Sequence, residues 1–220
     1  MKILEKQGYH LFFLVILISG IKILAPDSVL EGSFLGISTH SWFWASIYIP
    51  VIHQIYVLIF WRGELYYQLL TRWFGRYDFL IWSIGFLALL LARPIAILLL
   101  AVSNQGTLNI PDWLGWVLGL ACLPPVIYLG YSFVKYFGVK RALGIDHFQP
   151  EEYRDVPFVN EGIFRWSSNA MYTYAFLLFW IPGFLFLSKA GLVSALFSHL
   201  YIWVHYYFTE RPDMLFIYGS

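Results

Sequence analysis

Two compact polar clusters close the apolar segments in the last third of the chain. The first runs Gly162-Ile163-Phe164-Arg165-Trp166-Ser167-Ser168-Asn169-Ala170-Met171-Tyr172. The second runs His205-Tyr206-Tyr207-Phe208-Thr209-Glu210-Arg211-Pro212-Asp213-Met214. Arginine, asparagine, tyrosine and a carboxylate at the mouth of a membrane hairpin are costly unless they hold something. His199, Trp203, Tyr206 and Glu210 recur at helical spacing and share one stripe. Asn169, Tyr172, Thr173 and Phe176 share a face in the same way. If the two faces meet, one cleft is lined by carboxylate, hydroxyl, amide and ring groups. Taken singly, Tyr206, Tyr207 and Trp166 also suit an aromatic belt at the lipid–water boundary, and the polar residues suit bonding between helices.

The elements that position these clusters are membrane helices. Of the 220 residues, 60% are hydrophobic and 12% charged, with a mean hydropathy of +0.66. That excess belongs to a polytopic membrane protein of the all-α class. An aromatic share of 21% fits rings at both boundaries. Net charge near neutral gives no basic surface for nucleic acid, so that partner is excluded. The lone Cys122 rules out an internal disulfide and a multi-cysteine metal site.

Six spans near the ~20 residues that a bilayer core requires are read at Tyr9–Ala25, Thr39–Trp61, Phe79–Val102, Trp113–Phe137, Ala170–Leu187 and Gly191–Phe208. The first follows Lys2 and Lys6 but has Lys22 beside Ala25-Pro26, a poor cleavage context, and is read as a retained helix. Lys and Arg gather before the first span, between the second and third, between the fourth and fifth, and after the sixth. The alternate loops hold almost none, which predicts both termini in the cytoplasm. Pro124-Pro125 should kink the fourth span, and Pro50, Pro94 and Pro182 should bend theirs. Pro182-Gly183 and Gly191 permit a tight outer turn, so the last two spans form a hairpin open to the cytoplasm. Residues 138–168 form the one long polar segment, read as a short interfacial helix plus loop.

Other polar residues have plainer expectations. His53 and Gln54 read as a hydrogen-bonded structural pair within the membrane. Arg93 falls toward the outer end of its span, where snorkelling to the surface is the cheaper account. His147 reads as a solvated loop side chain. The six histidines show no zinc-type spacing, so no metal is expected.

The two clusters resemble those of the integral-membrane methyltransferases, the superfamily that includes phosphatidylethanolamine N-methyltransferase and isoprenylcysteine carboxyl methyltransferase. There a Gly-x-x-Arg segment ending in (His/Asn)-Pro-Met-Tyr opens one helix of a hairpin, and a Glu-Glu segment closes the other. Here the first is Gly162, Arg165, Asn169, Ala170, Met171 and Tyr172, and the second is Glu210-Arg211-Pro212. Ala170 stands where the proline is usual, and Arg211 where a second acidic residue is usual. Leu129 to Gly138 also looks like the segment that precedes the first motif in the phospholipid branch.

The resemblance divides the chain into N-terminal spans, 1–128, and a methyltransferase-like region, 129–220. It implies S-adenosylmethionine as methyl donor, bound from the cytoplasmic side by Gly130, Arg165, Asn169, Met171, Tyr172, Glu210 and Arg211. Arg165 or Arg211 would meet the donor's carboxylate, Glu210 its ammonium or ribose, Asn169 the adenine edge, and aromatic faces its cation. Glu210 and Tyr172 are the candidate catalytic residues, with His205 and Tyr206 toward the acceptor. A phospholipid amine is the favoured acceptor, with a prenylated cysteine carboxylate the alternative. The compartment would be a bacterial inner membrane or the endoplasmic reticulum. Outside the resemblance, the residues also admit a small transporter lined by polar stripes or a scaffold without chemistry.

Overall fold

Within a bilayer a helix satisfies its own backbone, so apolar runs of this length fold as helices. The computed structural model describes residues 2–219. The first half contains α1 (Gln7–Leu24), α2 (Thr39–Tyr67), the short α3 (Leu69–Phe74) and α4 (Asp78–Ser103). Between α1 and α2 lies a small antiparallel ribbon, β1 (Ser33–Phe34) with β2 (Ile37–Ser38). The second half begins with α5 (Asp112–Ala121) and α6 (Leu123–Ser132), which continues as a π-helical turn to Phe137. Three single turns follow: α7 (Val139–Ala142), α8 (Ile145–Phe148) and α9 (Pro150–Tyr153). The hairpin comprises α10 (Ala170–Tyr174), α11 (Trp180–Leu185) and α12 (Lys189–His205), and α13 (Arg211–Tyr218) closes the chain.

Among the described residues, four helical runs are long and apolar enough to cross a membrane: Lys2–Leu24, Thr39–Tyr67, Leu69–Ser103 and Asp112–Phe137. The fifth expected span is a shorter apolar run, Ala170–Leu185, and the sixth is the 17-residue α12. The fourth breaks at Cys122, just ahead of Pro124-Pro125, where two N–H donors are missing. α2 and α4 run on through Pro50 and Pro94. In the hairpin, a Cβ on Gly191 would stand 3.3 Å from the Gly183 Cα, so the glycines let the two arms touch.

α12 is the central column, packed against α1, α2, α4 and α11. Ile21, Phe43, Ile47, Leu100, Phe197 and Tyr201 form the main apolar core around it. At one end, the buried Asn104 side chain knots the loops: its Oδ1 accepts from Ser188 Oγ and the Ala190 N–H, both at 3.0 Å, and its Nδ2 donates to the Val29 carbonyl at 2.6 Å. The opposite end gathers the N-terminal residues, the close of α2, residues 138–168 and α13.

Two expectations about buried polar groups are corrected. Arg93 does not snorkel; it is 2% exposed, on the α4 face that also buries Ala96, Ile97 and Leu100. Its guanidinium lies over the rings of Phe176 and Phe179, at 5.0 and 5.3 Å, so aromatic faces replace surface water. His53 and Gln54 are buried but not bonded as a pair: both His53 ring nitrogens and Gln54 Oε1 lack partners. Successive residues on a helix point about 100° apart, which keeps their ends from meeting.

Candidate functional site

At the end opposite Asn104, a cavity of about 460 Å³ opens between α8, α10, the π-helical turn Tyr206–Glu210 and α13. Its size lies within the ~300–1,000 Å³ of small-molecule sites. The wall holds a carboxylate and an amide, Glu210 and Asn169, and the guanidinium groups of Arg141 and Arg211. Phe137, Phe158, Tyr206 and Trp61 supply ring faces.

Local sequence explains how the hairpin mouth is shaped. Gly162 has φ +58°, and a Cβ there would come within 2.5 Å of Ser132 Oγ. Its absence brings the 162–165 turn against α6, where Ser132 Oγ accepts the Ile163 N–H at 3.1 Å. Ala170 is fully buried against Leu129, Ile163 and Phe164, which seats α10 beneath that turn. Tyr172, in the first turn of α10, donates its hydroxyl hydrogen bond to Glu210 Oε2. The Tyr172 ring packs on Trp203 and Tyr206, with centroids 6.1 and 5.7 Å away. The two polar stripes therefore meet across the hairpin.

Of the residues singled out from sequence, Asn169, Met171, Tyr172, Tyr206, Glu210 and Arg211 line this cavity. Gly130 and Arg165 lie outside it and are exposed, Gly130 near the C-terminal end of α6. His205 is 2% exposed and turns the other way, its ring near those of His10 and Trp61 at 6.2 and 6.4 Å. It is the last residue of α12, whereas Glu210 ends the π-helical turn that follows.

His147 overturns its reading as a solvated side chain. It is 2% exposed, stacked on Trp61 with centroids 4.3 Å apart. Its Nδ1 is 3.0 Å from Asp146 Oδ1, and its Nε2 is 3.8 Å from Asp213 Oδ2, an ion-pair separation. Tyr218 donates to Asp146 Oδ2 at 3.0 Å, and Tyr66 to Asp213 Oδ1 at 3.2 Å. Gly144, with φ +75°, makes the stack possible, because a Cβ would fall 2.5 Å from the Trp61 ring.

These contacts set the charges. Burial pushes the Glu210 carboxyl up, to about 7, although the Tyr172 hydroxyl and the His147 charge pull it down. Burial alone would lower the His147 imidazole; the carboxylates of Asp146 and Asp213 outweigh it and lift the ring to about 9. Burial works against ionised Asp146 as well, but His147 and Tyr218 hold its carboxyl below the usual range. At neutral pH the floor is thus an imidazolium between two carboxylates, and Glu210 beside it is poised to gain or lose a proton.

Residues 114–220 match the phospholipid methyltransferase family. No curated protein and no solved structure matches the chain. The family match agrees with the resemblance read from the two motifs and takes in both of them. The matched stretch supplies every cavity-lining residue except Trp61, which comes from α2. Among the described residues, no group of three His, Cys, Asp or Glu side chains is placed to hold a metal.

Trp61, Arg141, Asp146, His147 and Asp213 are the participants that sequence reasoning passed over. Two signals were present. Asp146-His147 comes two residues after Gly144, and Asp213 adds a second carboxylate to the Glu210-Arg211-Pro212 cluster.

Proposed function

We propose that this chain is an S-adenosylmethionine-dependent membrane methyltransferase acting on a lipid amine, with the donor held in the cavity between α8, α10 and α13. The observation that carries the proposal is the Tyr172–Glu210 pair, which faces Asn169, Arg141 and Arg211 around one ligand-sized space. Those groups fit the donor's chemistry. Glu210 suits the ammonium or ribose hydroxyls, Arg141 or Arg211 the carboxylate, Asn169 the adenine edge, and Phe158 or Tyr206 a flat or cationic face. When bound, S-adenosylmethionine supplies a methyl group on a sulfonium, ready for in-line displacement.

The protein's own part is alignment, exclusion of water and proton handling. Glu210 Oε2 is engaged by Tyr172, so Oε1 is the oxygen placed to take a proton from an ammonium headgroup. Its elevated pKa, about 7, suits that exchange at neutral pH. The apolar flanks of the hairpin leave a route by which acyl chains stay in lipid while the headgroup enters. The basic loops around the mouth support a cytoplasmic opening and both termini on that side.

Detergent-purified protein is expected to bind S-adenosylmethionine saturably and to transfer labelled methyl to phosphatidylethanolamine vesicles. Glu210→Gln and Asn169→Ala each reduce binding in folded protein. Folded wild-type protein that binds no donor would refute the reading.

A further inference from the structure

Arg62 lies on α2, outside residues 114–220, and its side chain is fully buried. Its Nε stands 3.0 Å from both Asp213 carboxylate oxygens. Nη1 donates to the carbonyls of Ile3 and Glu5, at 3.0 and 2.8 Å, and Nη2 donates to the Thr209 carbonyl at 2.9 Å. One guanidinium therefore joins three stretches of chain: the N-terminal residues, the π-helical turn carrying Glu210, and α13. A buried arginine is tolerated only when its donors are met in this way.

The contacts continue toward the cavity. Asp213 faces His147, His147 meets Asp146 and stacks on Trp61, and Tyr218 from α13 holds Asp146. His147, Asp146 and Trp61 are wall residues, whereas Arg62 and Asp213 stand behind the wall. We propose that Arg62 is a positioning residue: it fixes Asp213 and the Thr209 carbonyl, and through them orients His147 and Glu210 on the cavity wall. The site is thereby completed by the N-terminal half of the chain. The role in donor binding rests on the function proposed above; the orientation of His147 does not.

The test uses the full-length protein in detergent. Arg62→Lys keeps the charge, but an ammonium cannot span the carboxylate fork and the carbonyls together. Arg62→Gln leaves Asp213 in place but cannot span the carboxylate fork and the carbonyls together, and serves as the second variant. Two readouts are taken: the titration midpoint of His147 by histidine-selective NMR, assigned with His147→Gln, and the affinity for S-adenosylhomocysteine.

The expected result in Arg62→Lys, or in Arg62→Gln should the lysine protein not fold, is a His147 midpoint lower by about one unit or more. Affinity falls about tenfold, with helicity unchanged. A folded variant whose His147 titrates as in wild type overturns the proposal whatever the affinity. Wild-type protein that fails to bind S-adenosylhomocysteine while the midpoint still moves refutes the donor-site reading and leaves the positioning role standing. A purely structural role would lower stability without moving the midpoint.

Discussion

Replacing Tyr172 by phenylalanine removes one hydroxyl and retains the ring that packs on Trp203 and Tyr206. That hydroxyl donates to Glu210 Oε2 and opposes the rise that burial imposes on the carboxyl. A hydrogen bond to a charged acceptor is worth about 1.5–3 kcal/mol. At about 1.4 kcal/mol per unit, its loss carries the Glu210 midpoint about one to two units above its present value of about 7. The donor's positive charge favours ionised Glu210, whose fraction at neutral pH then drops from about half to between about a tenth and a hundredth. Isothermal titration with S-adenosylmethionine from about pH 6 to pH 8.5 reads the consequence directly. Wild-type affinity should rise through pH 7 and level off. The Tyr172→Phe protein should bind about five- to fifty-fold more weakly at neutral pH, with the gap narrowing as pH rises. A folded variant whose affinity follows the wild-type curve would refute the assignment of Glu210 as the group that meets the cation.

Three further outcomes follow from the same geometry. His147 is lifted from 6.5 to about 9, so its contribution to stability is complete below pH 6.5 and is lost as pH rises through 9. That contribution is roughly 3 kcal/mol. Denaturation in micelles across this range should show the decline, and His147→Gln should flatten it. Gly144→Ala places a methyl against the Trp61 ring at a residue with φ +75°, and should cost about 2–4 kcal/mol and weaken donor binding by displacing the indole from His147. Asn104→Ala leaves several buried partners unmet at the far end of the bundle. It should lower stability by about 1–3 kcal/mol in the same unfolding assay, with donor affinity unchanged.

Much of the fold was legible because membrane helices are written in composition. A bilayer demands long apolar runs and satisfied backbones, and those demands leave their marks locally, as in Phe79–Val102 or the break before Pro124-Pro125. What could not be read was facing. Arg93 lies near the end of its span in sequence, where a long side chain can reach water. Its azimuth on α4, fixed by packing with the hairpin, turns it toward Phe176 and Phe179 instead. The neighbours His53 and Gln54 failed as a pair for the same reason. Adjacency in a helix separates side chains, and partners come from other helices.

The site divides along the same line. Asn169, Tyr172, Tyr206 and Glu210 were readable because each stripe is periodic along a single helix, and the hairpin brings the two stripes together. Arg62, Asp146, His147 and Asp213 form no such stripe. They come from α2, α8 and α13, and they converge where α13 meets the close of α2, α8 and the backbone of Ile3. A charged group in this environment must be read from its partners: Arg62 looked like one of several basic loop residues, yet it is fully buried with its guanidinium donors met. The orientation rule used that arginine only as a positive charge near a membrane boundary. Its position behind the cavity wall means the N-terminal helices do more than anchor residues 114–220, since the geometry of His147 and of the turn bearing Glu210 depends on a side chain that stretch does not contain.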